Sequence, residues 1–338
     1  MAIKMVFRPR EVVSEERFYG DEFPSYAIAY DGFVNGPPGF LSPLDGKLYE
    51  SSEKGFRRIK GATRPLANWP KVNFDHHAGV VRLATNSSAA QAFLAVKCGL
   101  MKAFSVRGVP TAHLYGNDPD QDGTKTTFIL INHDSPYLDT PMFRDLLSLH
   151  NHLDITAGTY RVKKRWHILQ RLIWIGEPYT LARQKGLLAK MNAEGMRDLV
   201  LEGHERIIKT IEGEGEEVEP DMRFEVLEEY DGWKVVNEIG QHARYGMHDL
   251  DAFLTTRDRG DGSRQYMFCR RSKYIWHFPT QLLLPALNRA EKKHGNGVGG
   301  WGGSDTFVCS PRDGGSLLPY DTVVHKIARP IIERAMAM

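Results

Sequence analysis

Two stretches decide the expected fold: residues 71–77, which read KVNFDHH, and residues 111–123, which read TAHLYGNDPDQDG. Each starts as a short strand and continues directly into acidic residues or histidines. A third strand, at residues 26–30, ends in the turn dipeptide Asp31-Gly32. In an open parallel sheet, ligands bind in the loops that follow the carboxyl ends of the strands. The three stretches therefore predict that polar side chains gather at one edge of one sheet.

Helices are predicted between and after these strands. Residues 87–101 are mostly small and apolar, with Ser87 or Ser88 as the N-cap. Residues 141–153 form a second helical pattern. Residues 126–131 contain β-branched side chains, but their position after a glycine turn favours a helix. The alternation of strands and helices predicts an α/β fold with a doubly wound, mainly parallel sheet.

The length of the chain predicts two domains, because 338 residues exceed one ordinary hydrophobic core. We expect the parallel-sheet domain at residues 1–180, a helical linker at 181–219 and a smaller α+β domain at 220–338. Residues 35–70 are rich in Gly, Pro, Ser and Lys and predict a long loop or insertion. In the second domain, Asp231-Gly232 predicts the turn of a hairpin.

The composition is that of an ordinary globular protein, with 41% hydrophobic and 25% charged residues. The sequence lacks an apolar run of the ~18 residues that a membrane helix requires, and its N-terminus does not resemble a signal peptide. Cys98, Cys269 and Cys309 lack the spacing of a zinc site. We therefore expect a cytoplasmic protein with no membrane partner. The net charge of +2 does not indicate a long nucleic-acid partner.

The residues after the second and third strands are metal-ligand types. Asp75-His76-His77 and the run that contains Asp118, Asp120 and Asp122 offer carboxylate oxygens and imidazoles, which suit Mn²⁺ or Mg²⁺. Three acids within five residues repel one another unless a cation or basic partner is present. Two alternatives stay open: a polar turn whose aspartates cap the next helix, and a surface loop with hydrogen-bonded histidines.

The acidic run also matches the start of an EF-hand calcium loop. With Asp118 at position 1 of that loop, position 12 is Ile129. An EF-hand needs a bidentate glutamate at this position, and it needs a helix before the loop. The preceding segment is strand-like, so the sequence does not support an EF-hand.

The triplet Asp75-His76-His77, with Ser88-Ala89-Ala90 downstream, resembles the signature of the DHH phosphoesterase superfamily. The acidic run at residues 118–126 is similar to the acidic motif of the RecJ-like exonuclease branch of that superfamily. The order of the two motifs is permuted here, because the acidic motif comes first in the family. The resemblance implies two Mn²⁺ (or Mg²⁺) ions, with the usual spacing of about 3.5–4 Å for such pairs.

The resemblance also implies roles for single residues. In the family the second histidine of the triplet meets the substrate phosphate, and we expect His77 in this role, with Asp75 as the other catalytic residue. The expected metal ligands are Asp31, His76, Asp118, Asp120, Asp122 and Asp154. Asp118 would replace a histidine of the pyrophosphatase-like branch, because this chain has Gly116 at the matching position.

A glycine-rich stretch at residues 295–304 is similar in place to the substrate loop of the family's second domain. Backbone N–H groups of such a loop can approach an anion closely, and nearby arginines could clamp a phosphate. A flexible connector is the alternative. The expected substrate-binding residues of the α+β domain are Gly299, Gly300, Gly302, Gly303, Ser304, Arg312 and Arg270.

Together these features predict a hydrolase that cleaves a nucleotide or short oligonucleotide phosphodiester with a water activated by two metal ions. Two alternatives share the same fold. One is a nucleotide- or phosphate-binding module without turnover, and the other is a pyrophosphatase-like hydrolase. The sequence leaves the natural substrate and the oligomeric state open.

Overall fold

The computed structural model describes residues 3–41, 48–52, 55–58, 70–163, 165–294, 300–311 and 314–338, with backbone alone for 48–52 and 55–58. The chain divides into two compact units. The first unit comprises Met1–Ile155 and Arg165–Val218, and the second unit comprises Thr156–Lys164 and Glu219–Met338. Among the described residues, no helix combines the length and the apolar character that crossing a bilayer requires.

A mainly parallel sheet forms the centre of the first unit. The strands of this unit are β1 (Ile3–Phe7), β2 (Val13–Ser14), β3 (Ala27–Tyr30), β4 (Val34–Asn35), β5 (Gly39–Leu41), β6 (Leu48–Ser52), β7 (Gly55–Arg58), β8 (Lys71–Phe74), β9 (Ser105–Val106), β10 (Val109–Pro110) and β11 (Ala112–Gly116). In the described part of the chain, the main sheet has the order β1-β11-β3-β8-β5-β6-β7. The first four strands are parallel, and the last three extend the sheet in antiparallel fashion.

The register of the parallel strands brings their carboxyl ends together. Tyr30 at the end of β3 pairs with Phe74 at the end of β8, and Ala29 pairs with Tyr115 near the end of β11. Strands β3 and β8 are buried along their whole length, as expected for strands that are covered on both faces. The residues that follow these strands therefore meet at one edge, as the sequence predicts.

Helices of the first unit are α1 (Glu15–Tyr19), α2 (Ser88–Lys97), α3 (Leu100–Ala103), α4 (Gln121–Ile131), α5 (Pro141–Ile155), α6 (Trp166–Gln184) and α7 (Ala193–Ile211), with 3₁₀ turns at Arg82–Ala84, Pro136–Asp139 and Leu188–Lys190. The predicted start of α2 is confirmed, because the Ser87 hydroxyl accepts a hydrogen bond from Ala90 N. The helical interpretation of residues 126–131 is also confirmed, because they form the second half of α4.

Two expectations about the first unit need correction. Residues 35–70, expected as a long loop or insertion, contain the antiparallel strands β5, β6 and β7 in their described part, so they are not a loop throughout. Residues 181–219, expected as a linker between domains, belong to the first unit up to Val218. The reason is that α7 has an apolar stripe, with Met196, Val200 and Ile207 buried. A helix with such a stripe packs onto a core rather than spanning solvent.

The second unit is built on a mixed sheet. Its strands are β12 (Phe224–Tyr230), β13 (Trp233–Glu238), β14 (Ala252–Asp258), β15 (Arg264–Arg270), β16 (Gly302–Gly303) and β17 (Phe307–Cys309), in the order β12-β13-β14-β15-β17-β16. All neighbouring pairs are antiparallel except β13 and β14. The helices are α8 (Ala243–Gly246), α9 (Thr280–His294) and α10 (Arg329–Met336), and a π-helical segment at Thr322–Ala328 leads into α10. The predicted hairpin turn is confirmed, with Gly232 at a φ of +73°.

The hairpin β16–β17 explains one glycine of the glycine-rich stretch, Gly303. A Cβ atom on Gly303 would lie 2.0 Å from the carbonyl oxygen of Phe307, whereas a Cβ atom on Gly302 would meet nothing within 4 Å. Gly303 is therefore required by a close approach of two backbones, and Gly302 is not.

We predict that Gly303→Ala destabilises the protein by about 1–3 kcal/mol, because the added methyl group forces the strands apart. Gly302→Ala, the neighbouring control, should change the free energy of unfolding by less than about 0.5 kcal/mol. Urea-induced unfolding, followed by circular dichroism, measures both. Equal stability of the two variants would contradict the packing described here.

Candidate metal centre

The loops after β3 and β8 are joined by hydrogen bonds. Asp31 follows β3 with a φ of +50°, a conformation that aspartate tolerates better than most residues. Its backbone N donates to the carbonyl oxygen of Phe74 at 3.0 Å. The next residue, Gly32, donates from its backbone N to Asp75 Oδ1, also at 3.0 Å. These two contacts fix the predicted strand-end aspartate beside the Asp-His-His triplet.

Within the triplet, the carboxylate of Asp75 orients the ring of His77. Asp75 is fully buried, and its Oδ1 atom lies 2.8 Å from His77 Nδ1 and accepts a hydrogen bond from His77 N at 3.3 Å. The side chain of His77 remains 33% exposed, whereas that of His76 is fully buried. The two adjacent histidines therefore have different environments, one inside the unit and one facing solvent.

The three aspartates of the acidic run have different partners. Asp120 is the N-cap of α4, since its Oδ1 atom accepts hydrogen bonds from the backbone N of Asp122 and Gly123. This contact matches the capping alternative. Asp118 accepts a hydrogen bond from the Tyr179 hydroxyl at 3.3 Å. Asp122 is the member of the run that reaches the triplet.

Asp122 belongs to the first turn of α4, and its carboxylate lies at the N-terminus of α2. Its Oδ2 atom accepts a hydrogen bond from Ser88 N at 2.6 Å, and its Oδ1 atom accepts one from Ala89 N at 3.1 Å. A helix N-terminus stabilises a negative charge through its free N–H groups. The backbone N–H groups of the small residues Ser88 and Ala89 therefore orient the carboxylate of Asp122.

Three carboxylates converge on the buried ring of His76. Its Nε2 atom lies 3.0 Å from Asp154 Oδ2, 3.7 Å from Asp31 Oδ1 and 3.8 Å from Asp122 Oδ2. His77 Nδ1 lies 3.6 Å from the same Asp31 oxygen. These residues form two sets of possible ligands, each with donor atoms within 4.8 Å of one another: Asp31, His76 and His77, and His76, Asp122 and Asp154. We call them together the acidic–histidine cluster.

The chemistry of the acidic–histidine cluster fits a metal ion. In the described part of the chain, Asp154 Oδ2 and His76 Nε2 are buried with only each other as a close partner, 3.0 Å apart, and His76 Nδ1 is buried without a hydrogen-bond partner. Buried polar atoms are nearly always paired, so such atoms call for an ion or another partner. Imidazole nitrogen with several carboxylate oxygens is a ligand set for a divalent cation. The cluster can therefore hold a metal.

Buried negative charge raises several pKa values at this site. Burial, followed by the charge on Asp122, raises the pKa of Asp31. Burial, together with the charge of Asp31 and a hydrogen bond to it, raises the pKa of Asp120 beside the cluster well above its usual value. Burial disfavours the charged form of His76, but the carboxylate of Asp154 outweighs this effect and raises the pKa of His76 to about 10. Despite their burial, the nearby histidines hold the pKa values of Asp122 and Asp154 below the usual value. A divalent cation would offset the same buried negative charge.

Two residues that sequence reasoning missed support the cluster. His150 is buried, and its Nε2 atom lies 2.9 Å from Asp122 Oδ1. Arg82 donates from Nη2 to the carbonyl oxygen of Asp154 at 3.0 Å and to its Oδ1 atom at 3.3 Å. The spacing of His150 and Asp154, four residues apart on α5, places both on one helix face and could have revealed the histidine. No signal in the sequence points to Arg82.

The residues of the second unit that we expected to bind substrate differ in their exposure. Arg270 is 5% exposed, and its guanidinium donates to the carbonyl oxygens of Asp305 and Ile275. Ser304 N donates to the carbonyl oxygen of Phe307 inside the hairpin. Gly300, Gly302 and Gly303 are exposed, and Gly299 and Arg312 lie outside the described residues. The proposed substrate role of this stretch stays a prediction.

Comparisons with protein-family models and with curated proteins return no match for this chain. The superfamily resemblance therefore depends on the motifs quoted above.

We predict that His150→Ala weakens Mn²⁺ binding about 10- to 100-fold, the usual loss when a partner of a metal ligand is removed. The reason is that Asp122 loses the contact that orients its Oδ1 atom. His133→Ala, a change in the short segment after α4, is the control and should leave the affinity unchanged. Isothermal titration calorimetry with Mn²⁺ measures both, and an unchanged affinity in His150→Ala would contradict this role.

Proposed function

We propose that the first unit is a metal-dependent phosphoesterase that hydrolyses a nucleotide or short oligonucleotide phosphodiester. The observation that supports this most is the convergence of Asp31, Asp122 and Asp154 on the buried ring of His76. These residues come from four separate places in the chain, and all of them are ligand types for Mn²⁺ or Mg²⁺. The proposal includes the doubly wound arrangement of helices that the sequence predicts.

His76, Asp122 and Asp154 would hold one cation, and Asp31 would contribute a carboxylate oxygen to a second. A bound divalent cation supplies Lewis-acid stabilisation of phosphoryl oxygens and lowers the pKa of water. The protein's own task is to keep the ligands oriented. Asp122 is fixed by the N-terminus of α2, and Arg82 fixes Asp154.

His77 is the residue placed to meet the substrate. Its side chain is one-third exposed, and its Nδ1 atom faces the buried carboxylate of Asp75. A carboxylate on one ring nitrogen fixes the orientation of the ring and favours a proton at that nitrogen. The other ring nitrogen, Nε2, would then interact with a phosphoryl oxygen. In this proposal Asp75 acts through His77 and the loop after β3.

Because Asp122 is a ligand in this proposal, Asp122→Asn should reduce Mn²⁺-dependent hydrolysis by at least about a thousandfold. Asp134→Asn, a change at an exposed acid just after α4, is the matched control and should keep the wild-type rate. The assay uses bis(p-nitrophenyl) phosphate and a short oligonucleotide, with Mn²⁺ added and with EDTA. Chelation should abolish the wild-type activity, and Mn²⁺ should restore it.

No Mn²⁺-dependent hydrolysis by the wild type would leave a binding module and contradict the proposed activity. Equal rates for the wild type and Asp122→Asn would show that the acidic run is structural. Faster turnover of inorganic pyrophosphate than of either diester would instead assign the site to a pyrophosphatase-like reaction.

His77→Ala should cost less than the loss of Asp122, because it removes a phosphate contact and leaves the metal ligands in place. A hydrogen bond to a charged group contributes about 1.5–3 kcal/mol, so the expected loss in kcat/KM is about 10- to 100-fold. Mn²⁺ affinity, measured by calorimetry on the same variant, should fall far less than in Asp122→Asn. A loss of turnover as large as that of Asp122→Asn would contradict the assigned role.

A further inference from the structure

One buried polar group beside the acidic–histidine cluster has no role in the proposed function. Tyr30 is the last residue of β3 and directly precedes Asp31. Tyr30 is 1% exposed, and within the described part of the chain its hydroxyl is buried without a hydrogen-bond partner. Burying a hydroxyl without a partner is costly, so nearly all such groups are paired. The Tyr30 hydroxyl therefore calls for a partner that the side chains around it do not supply.

Two glycines make room for the ring of Tyr30. A Cβ atom on Gly116, at the end of β11, would lie 2.4 Å from the hydroxyl oxygen of Tyr30. A Cβ atom on Gly123, in the first turn of α4, would lie 3.1 Å from Cε2 of the same ring. Neither glycine has a positive φ, so the space for the ring, and not an unusual backbone conformation, explains both. The hydroxyl occupies the space that a side chain at position 116 would fill.

The ring of Tyr30 lies next to the acidic run. Asp120 Oδ1 lies 3.5 Å from the position of that Cβ atom on Gly123, so the ring edge and the carboxylate approach the same point. Burial, followed by the charges of Asp31 and Asp120, raises the pKa of Tyr30. The hydroxyl therefore keeps its proton at neutral pH, and it can donate a hydrogen bond beside these two carboxylates.

A divalent cation at the cluster would order an acceptor for this donor. Asp120 Oδ1 already accepts hydrogen bonds from the backbone N of Asp122 and Gly123. A bound cation fixes the oxygen atoms around it, both those of carboxylates and those of the water molecules that Mg²⁺ usually keeps. Groups that hydrogen-bond to such ligands orient them and increase the affinity for the metal. A buried hydroxyl donor beside Asp31 is suited to this task.

We propose that Tyr30 is a positioning residue of the candidate metal centre, and that its hydroxyl donates a hydrogen bond to a carboxylate or water oxygen that binds a divalent cation beside Asp31. This inference rests on the proposed function, because it requires the cation of that proposal. It adds a residue that is not itself a metal ligand and that acts through the ligands.

Tyr30→Phe, which removes the hydroxyl and keeps the ring, tests this role. In isothermal titration calorimetry, the variant should bind Mn²⁺ about 10- to 100-fold more weakly than the wild type, the usual loss when the partner of a metal ligand is removed. Tyr19→Phe is the matched control, because Tyr19 is also a buried tyrosine of the first unit, 6% exposed, and packs in an apolar core. This control should bind Mn²⁺ as the wild type does.

Urea-induced unfolding in EDTA separates positioning from a contribution to the fold. Because the hydroxyl has no partner among the described residues, Tyr30→Phe should keep the wild-type urea midpoint in EDTA. With Mn²⁺ added, the midpoint of the wild type should rise further than that of Tyr30→Phe, since tighter binding to the folded state stabilises it more. A lower midpoint of Tyr30→Phe in EDTA, with unchanged Mn²⁺ affinity, would show a structural role and overturn the proposal.

The calorimetry also separates this proposal from the proposed activity. Equal Mn²⁺ affinity of the wild type and Tyr30→Phe would overturn the role of Tyr30 alone, because Asp122→Asn tests the activity. A wild type that does not bind Mn²⁺ would contradict both proposals. Weaker Mn²⁺ binding by Tyr30→Phe, in a protein that hydrolyses no phosphodiester, would support the positioning role and contradict only the activity.

Discussion

The first unit depends on the burial of several carboxylates around one imidazole. Buried like charges repel, and each loses the hydration that it has in water. The chain offsets this with defined partners: the N-terminus of α2 and His150 for Asp122, and Arg82 for Asp154. Such partners orient the carboxylates but do not neutralise them all. The remaining negative charge is the feature of this cluster that fits a divalent cation.

Parallel pairing is the feature of the fold that builds this cluster. Adjacent parallel strands in register end at the same level, so the residues after β3 and β8 are neighbours although more than forty positions separate Asp31 from Asp75. Helices α4 and α5 then bring Asp122 and Asp154 to the same edge. A permuted order of motifs along the chain does not alter such a site, because the position depends on strand ends and not on their sequence order.

The parts of this arrangement that are local in sequence were predictable. The pattern of a buried strand followed closely by acids or histidines predicted that Asp31, His76 and Asp122 lie together. Each strand and the polar residue after it are only a few residues apart in the sequence. The parts that depend on packing between distant segments were not. Asp118, also expected among the ligands, accepts a hydrogen bond from the hydroxyl of Tyr179, 61 residues later, and its role as a ligand stays a prediction. No local sequence pattern predicts a hydrogen bond between residues so far apart in the chain.

The second unit shows the same limit. A pair of adjacent arginines reads as one basic patch, yet Arg270 is buried under the loop that follows β15 and Arg271 lies at the surface. Strand alternation separates their side chains, and only the packing of the loop against the core decides which of them a ligand can reach. Arg270 donates to the backbone of this loop, and its expected role in substrate binding stays a prediction.

The most direct test of the central claim is anomalous diffraction from crystals soaked in Mn²⁺, with data collected at the manganese edge. The account predicts at least one anomalous peak within about 2–2.4 Å of His76 Nε2 and of carboxylate oxygens from Asp122 and Asp154, with a second peak beside Asp31. Crystals without a peak at His76, or with manganese beside Asp118 alone, would contradict the account.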